Sequence, residues 1–167
     1  RFAVATVTKL NYKPAIAYDC IYPRYAIDDP ALMTGLSPDQ TRYVSIDAIN
    51  HVVEAATTTV TNPLAISLAA ETIRLVHQWL PAVLSNPADL KARHQLCYAA
   101  MQAGVAFDNG LLHFTHALEH PLSAVSPDLS PGLGLAVLLP AVILECYPAC
   151  PDVLAHILAP MAPGLKG

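Results

Sequence analysis

Three times between Ser37 and Pro87 a small polar residue stands directly before a proline: Ser37-Pro38, Asn62-Pro63 and Asn86-Pro87. Proline suits the first helical position because its missing N–H belongs to the groups a helix leaves unpaired anyway, and the polar residue before it can cap the open end. The chain is therefore punctuated for helices from Ser37 onward. A first helix is expected to carry Thr41 to Thr57. The second keeps Leu64, Leu68, Ile73, Leu75, Val76 and Leu80 at roughly helical period and should stop at Pro81. The third runs through Ala92, Leu96, Ala99 and Ala100 toward Gly104, and a fourth follows Asn109-Gly110 until Pro121 trims it. Ser126 to Gly134 reads as a loop, Leu135 to Leu144 as a buried apolar segment, and Asp152 to Met161 as a last short helix.

The beginning is different. FAVATVT, from Phe2, alternates β-branched and small residues like a strand inside a sheet, yet the chain offers it few partners. Tyr12 to Leu36 is rich in Pro, Asp and Tyr and reads as extended segments and turns, with a strand end at Ala26-Ile27 and a turn over Asp28-Asp29-Pro30. The expected fold class is mainly α. Residues 37–167 form a helical bundle, and residues 1–36 form a short N-terminal strand and an extended arm. No internal repeat is visible.

Composition narrows the function. The 167 residues are 54% hydrophobic and only 13% charged, too apolar for disorder and apolar enough to suggest that some surface lies against another surface. A homo-oligomer or a complementary chain is the expected cover. Nine basic residues are scattered under a net charge of -4, so no basic face is offered to phosphates and nucleic-acid binding is not expected. The apolar stretch Leu133 to Leu144 holds Gly134 and Pro140 and is too short for a bilayer, so no transmembrane helix is expected. Cys20, Cys97, Cys146 and Cys150 lack zinc-knuckle spacing and read as buried reduced thiols of a cytoplasmic protein.

Two side-chain pairs carry the chemistry: Asp47 with His51, and His116 with His120. Residues four apart on a helix are displaced about 6 Å along the axis and about 40° around it, so both can reach one point beside the helix. Two such helices facing each other would form a cage of one carboxylate and up to three imidazoles. That donor set, without thiolate, suits Fe(II) or Zn(II) better than Ca(II). Each residue has a plainer alternative. Asp47 and His51 could be a surface pair, His116 or His120 a half-buried histidine, and His113 either a rival donor or a polar residue at a helix start. Glu119 points about 100° away from its neighbour His120 and reads as solvated or paired with a basic side chain. His77, His94 and His156 read as surface residues, and Trp79 as packing at a helix end.

The ordered strings DAINHVVEA, TNPLAISLAAETIRL, LPAVL, MQAGVAFDNG, HFTHALEHPLSAV and GLGLAVLLPAV resemble the C-terminal helical domain of the iron-containing (group III) alcohol dehydrogenases over nearly the whole chain. The resemblance implies Asp47, His51 and His116 as metal ligands, and His120 near the substrate as a proton-handling residue. It implies NAD or NADP as cofactor, with Lys13 weakly matching a basic residue near the nucleotide. The implied reaction is metal-assisted hydride transfer between an alcohol and an aldehyde or ketone.

The sequence also departs from the family pattern. Where a fourth ligand is expected in a His-Gly pair, this chain reads Ser130-Pro131-Gly132, and proline cannot ligate through its side chain. Asp128 or His120 could fill the gap. No Gly-rich pyrophosphate loop is present: Gly132 and Gly134 have Val137 where a third glycine would fall, and they follow a loop. The expectation is a metal-binding domain whose nucleotide-binding domain is missing before residue 1 and whose last helices are missing after Gly167. Two other classes stay open: a non-catalytic helical assembly module, which loss of the fourth ligand would permit, and a small metal-dependent hydrolase or lyase.

Overall fold

In the computed structural model, which describes residues 2–126 and 128–167, the chain is mainly α. Six α-helices follow one another among the described residues: α1 Pro38–Thr57, α2 Pro63–Ser85, α3 Leu90–Gly110, α4 Phe114–Val125, α5 Pro131–Cys146 and α6 Pro151–Leu158. The caps expected from the sequence operate. Ser37 Oγ accepts from the Gln40 N–H at 3.1 Å, and Asn62 Oδ1 accepts from the Ala65 N–H at 3.0 Å. At the third start the punctuation is offset, because Asn86 to Ala88 form a turn and Asp89 caps α3 through the Ala92 N–H at 3.0 Å.

α1 lies at the centre, with α2, α3, α4, α5 and α6 all packed against it. Ala48, Ile49, Val52, Val53, Ala55 and Ala56 are buried on it, which leaves a narrow polar stripe for chemistry. Facing alanines, Ala69 on α2 and Ala99, Ala103 and Ala106 on α3, keep the helices close, and Ile73, Leu75, Leu154 and Ile157 fill the core between them. Each fully buried large aliphatic side chain contributes roughly 1.5–3 kcal/mol.

Several sequence expectations are corrected. α2 runs through Pro81 to Ser85, and α4 runs through Pro121 to Val125. A proline inside a helix costs about 3 kcal/mol, but Val83 and Ala124 beyond the two prolines are buried, and that packing holds the last turns in place. α3 continues past Gly104 to Gly110. The expected loop to Gly134 ends early, because Pro131 occupies the first turn of α5. α5 is not buried all round: Leu135, Leu139 and Val142 face inward, while Val137 and Leu144 are exposed. With the 3-10 turn Tyr147–Ala149, residues 131–149 form one helical stretch long and apolar enough to cross a membrane by length and composition, so the argument that it is too short fails. In the fold one side of this stretch is laid along α1 and α4.

The strand expected at FAVATVT is three residues, β1 Phe2–Val4, and its partner comes from the arm. It pairs antiparallel with β2 Ala15–Ala17 in the register Ala3 to Ile16, extended by a bridge between Val7 and Tyr12. All four cysteines are free, but Cys20 is exposed and the other three are only half-buried. His77, His94 and His156 are exposed, as expected. Trp79 packs on the core edge, with the Lys91 ammonium 5.6 Å from its ring centre.

Candidate metal centre

The central helix brings Asp47, His51 and Glu54 onto one face, because they stand at i, i+4 and i+7. α4 crosses this face at its start. Between α3 and α4 the chain reverses through Leu111, whose φ of 66° is a strained conformation for a branched residue. That reversal sets His113 as the residue before α4 and drives His116 down against α1.

Asp47, His51 and His116 each present one donor atom, and the three atoms lie within 4.8 Å of one another. His116 Nε2 is 3.3 Å from Asp47 Oδ1, His51 Nδ1 is 3.0 Å from the same oxygen, and the two rings meet edge to face with centres 4.4 Å apart. His116 is buried, while Asp47 and His51 are half-buried and open on a cavity of about 550 Å³. Val4, Phe107, Leu111, Leu112, Ala117 and Leu135 make most of its wall, and Lys13, Glu119, His120 and Pro131 lie around it.

The charges of the cluster are tightly coupled. Burial disfavours a charge on Asp47, but hydrogen bonds from His116 and His51 outweigh it and hold the carboxyl far below its ordinary range. Burial likewise disfavours a charged His116, yet its hydrogen bonds to Asp47 and Glu54 push the imidazole up to about 9. In the metal-free protein a proton on His116 thus balances part of the charge of two carboxylates, the half-buried Asp47 and the buried Glu54. A divalent ion among the same donors would supply that balance in full. One carboxylate and two imidazoles are a donor set for Fe(II) or Zn(II), so the residues present fit such an ion.

His120 lies one turn beyond His116, its ring centre 6.0 Å away, and it lines the cavity outside the three-donor cluster. Burial, and then the Lys13 ammonium, lower its basicity. Lys13 reaches from the arm between β1 and β2 to Glu119 Oε2 at 3.3 Å and Ser123 Oγ at 2.9 Å. Glu119 is therefore not solvated; it is 1% exposed and held by that ammonium, the second of the two alternatives. His113 sits at the helix start, with Nε2 2.8 Å from Thr57 Oγ1, and is not one of the clustered donors. Pro131 lines the cavity from the first turn of α5. Asp128 is exposed, and neither it nor His120 joins the cluster.

The sequence reasoning missed Glu54. Its side chain is fully buried, with one oxygen against His116 Nδ1 and the other accepting backbone N–H groups at the start of α4. Burial opposes its charge, but the His116 hydrogen bond, the nearby His116 and His113 rings and the His113 backbone N–H together outweigh it and keep the carboxyl below its ordinary value. The signal was available: Glu54 stands three residues after His51 on the ligand face, amid the apolar run VVEAA.

Fold and site together define a class, a helical domain with a carboxylate–imidazole cluster at the floor of an open, mostly apolar cavity. The chain belongs to the Fe-containing alcohol dehydrogenase family, whose C-terminal part matches residues 41–164. It is 59% identical over 167 residues to a long-chain primary alcohol dehydrogenase of Thermoanaerobacter ethanolicus, covering 100% of this chain and 42% of the relative. Among solved structures it resembles a 1,3-propanediol oxidoreductase with a TM-score of 0.91 and 34% identity, over 100% of this chain and 44% of that one. An NADH-dependent butanol dehydrogenase A from Thermotoga maritima superposes with a TM-score of 0.87 and 28% identity, over 99% and 42%. The chain spans less than half the length of these relatives.

Proposed function

We propose that the chain is the metal-binding part of an NAD(P)-dependent alcohol dehydrogenase that interconverts primary alcohols and aldehydes. The observation that carries this reading is the cluster of Asp47, His51 and His116 donors within 4.8 Å at the floor of a cavity open to a substrate. A divalent ion held by these three residues supplies Lewis acidity toward an alcohol or aldehyde oxygen, and a nicotinamide supplies the hydride chemistry. The chain's own residues do the rest. Apolar walls from Phe107, Leu111, Leu112 and Leu135 take the alkyl chain and exclude water from the reacting carbon. That lining, with the likeness to a long-chain primary alcohol dehydrogenase, favours primary alcohols with an apolar tail. His120, whose lowered basicity keeps its ring neutral near pH 7, accepts or returns the hydroxyl proton at a ring nitrogen. Lys13 presents its ammonium at the cavity edge nearest the arm, where a nucleotide-binding partner or domain would meet this one.

The reading places the protein in the cytoplasm, in keeping with its four free thiols, and gives it a nucleotide-binding counterpart for activity. Pro131 favours a second reading, a helical module that assembles without catalysis. Elemental analysis of the purified chain separates the two. Near-stoichiometric iron or zinc, lost in Asp47→Ala and His116→Ala, supports the dehydrogenase reading. A folded, metal-free parent chain that takes up neither ion overturns it.

A further inference from the structure

We propose that Glu54 is a positioning residue for the metal site: by holding the hydrogen on His116 Nδ1 it leaves Nε2, on the side of Asp47 and His51, as the nitrogen that gives up its proton to bind an ion. The inference rests on the reading of the cluster as a metal site and adds a residue to it. Glu54 is 0% exposed and divides its two oxygens between two tasks. Oε1 accepts the backbone N–H groups of His113 at 3.0 Å, Thr115 at 2.8 Å and His116 at 3.4 Å, which close the open end of α4. Oε2 contacts His116 Nδ1. An ionised carboxylate can only accept, so Nδ1 must carry the hydrogen, and in a neutral ring Nε2 is then left with the lone pair. Nε2 is the atom 3.3 Å from Asp47 Oδ1, on the side of the donor cluster.

Charge points the same way. Asp47 and Glu54 are two carboxylates flanking one imidazole, and a divalent ion beside His116 would match their combined charge. The cap alone accounts for Oε1 and leaves Oε2 unexplained. Position 54 also ties the two ligand-bearing helices together, because a residue of α1 fixes both the start of α4 and the ring that α4 contributes.

Glu54→Gln separates the two tasks. A glutamine whose oxygen keeps the α4 cap turns its NH2 toward Nδ1, which must then accept; in a neutral ring Nε2 then carries the hydrogen and cannot ligate. The full chain and Glu54→Gln are titrated with zinc against a chromophoric chelator, and each metal-free protein is melted by circular dichroism. The expected result is a melting midpoint within a few degrees of the parent and zinc affinity lowered about 10–100-fold. A folded Glu54→Gln that binds zinc within about twofold of the parent overturns the proposal while leaving the metal site standing. If the parent itself binds no zinc, the metal reading falls and the proposal with it. Should Glu54→Gln fail to fold, the parent decides alone. In the zinc-loaded, 15N-histidine-labelled chain, the His116 signal, assigned by its loss in His116→Ala, must show Nδ1–H. Ligation through Nδ1 overturns the proposal.

Discussion

A proline at the rim of a three-donor site sets the terms at the residue scale. Pro131 occupies the first turn of α5, where its missing N–H costs nothing, and it lines the cavity that Asp47, His51 and His116 open onto. Its side chain offers no lone pair, so the donor cluster among the described residues stays at three, Asp47, His51 and His116. Pro131→His puts an imidazole on that wall, and its expected effect is zinc bound about tenfold or more tightly, roughly 1.4 kcal/mol, by chelator competition. Unchanged affinity would mean that α5 stands too far from the cluster to complete it.

At the scale of elements, the site depends on how closely helices approach and on one buried ion pair. A Cβ on Gly132 would lie 2.4 Å from the Tyr43 carbonyl oxygen of α1, so α5 must move for any larger residue to fit. Gly132→Ala is expected to cost about 1–3 kcal/mol in urea denaturation and, by displacing Pro131, to alter metal affinity as well. The Lys13–Glu119 pair fastens the arm to α4, with Glu119 almost fully buried and its Oε1 already without a partner. Lys13→Ala leaves that carboxylate uncompensated and should cost about 3 kcal/mol, whereas Lys13→Ala with Glu119→Gln should recover part of the loss. Thermal melts of both variants check the order, and hydrogen exchange of Ala15–Ala17 should quicken in the single variant.

The whole molecule exposes more apolar surface than its interior organisation requires. Phe114, Leu118, Leu122 and Val125 of α4 and Val137 and Leu144 of α5 are open to solvent, as are Tyr25 and Ile27 of the arm. Such surface favours association. Light scattering is expected to give a mass above the 17.8 kDa of one chain, rising with concentration. A monomer at the highest concentration reached would remove the argument for self-assembly.

Much of this was written in the sequence as local chemistry. Ser37-Pro38 and Asn62-Pro63 open helices because capping and proline stereochemistry act within four residues, and the mainly α class followed from them. The spacing of Asp47 and His51 placed both on one helix face whatever else the chain did. Tertiary structure decided what local signals could not. Pro81 and Pro121 failed as stops because buried residues beyond them held the helices together. Glu119 became a buried partner of Lys13, 106 residues away, because the arm folds back over α4. Nothing local names the partners of Glu54; the packing of α4 on α1 sets the start of α4 and the His116 ring on its two oxygens. Backbone sterics and helical period reach a few residues along the chain; which carboxylate meets which imidazole depends on helices from distant parts of it packing at close range.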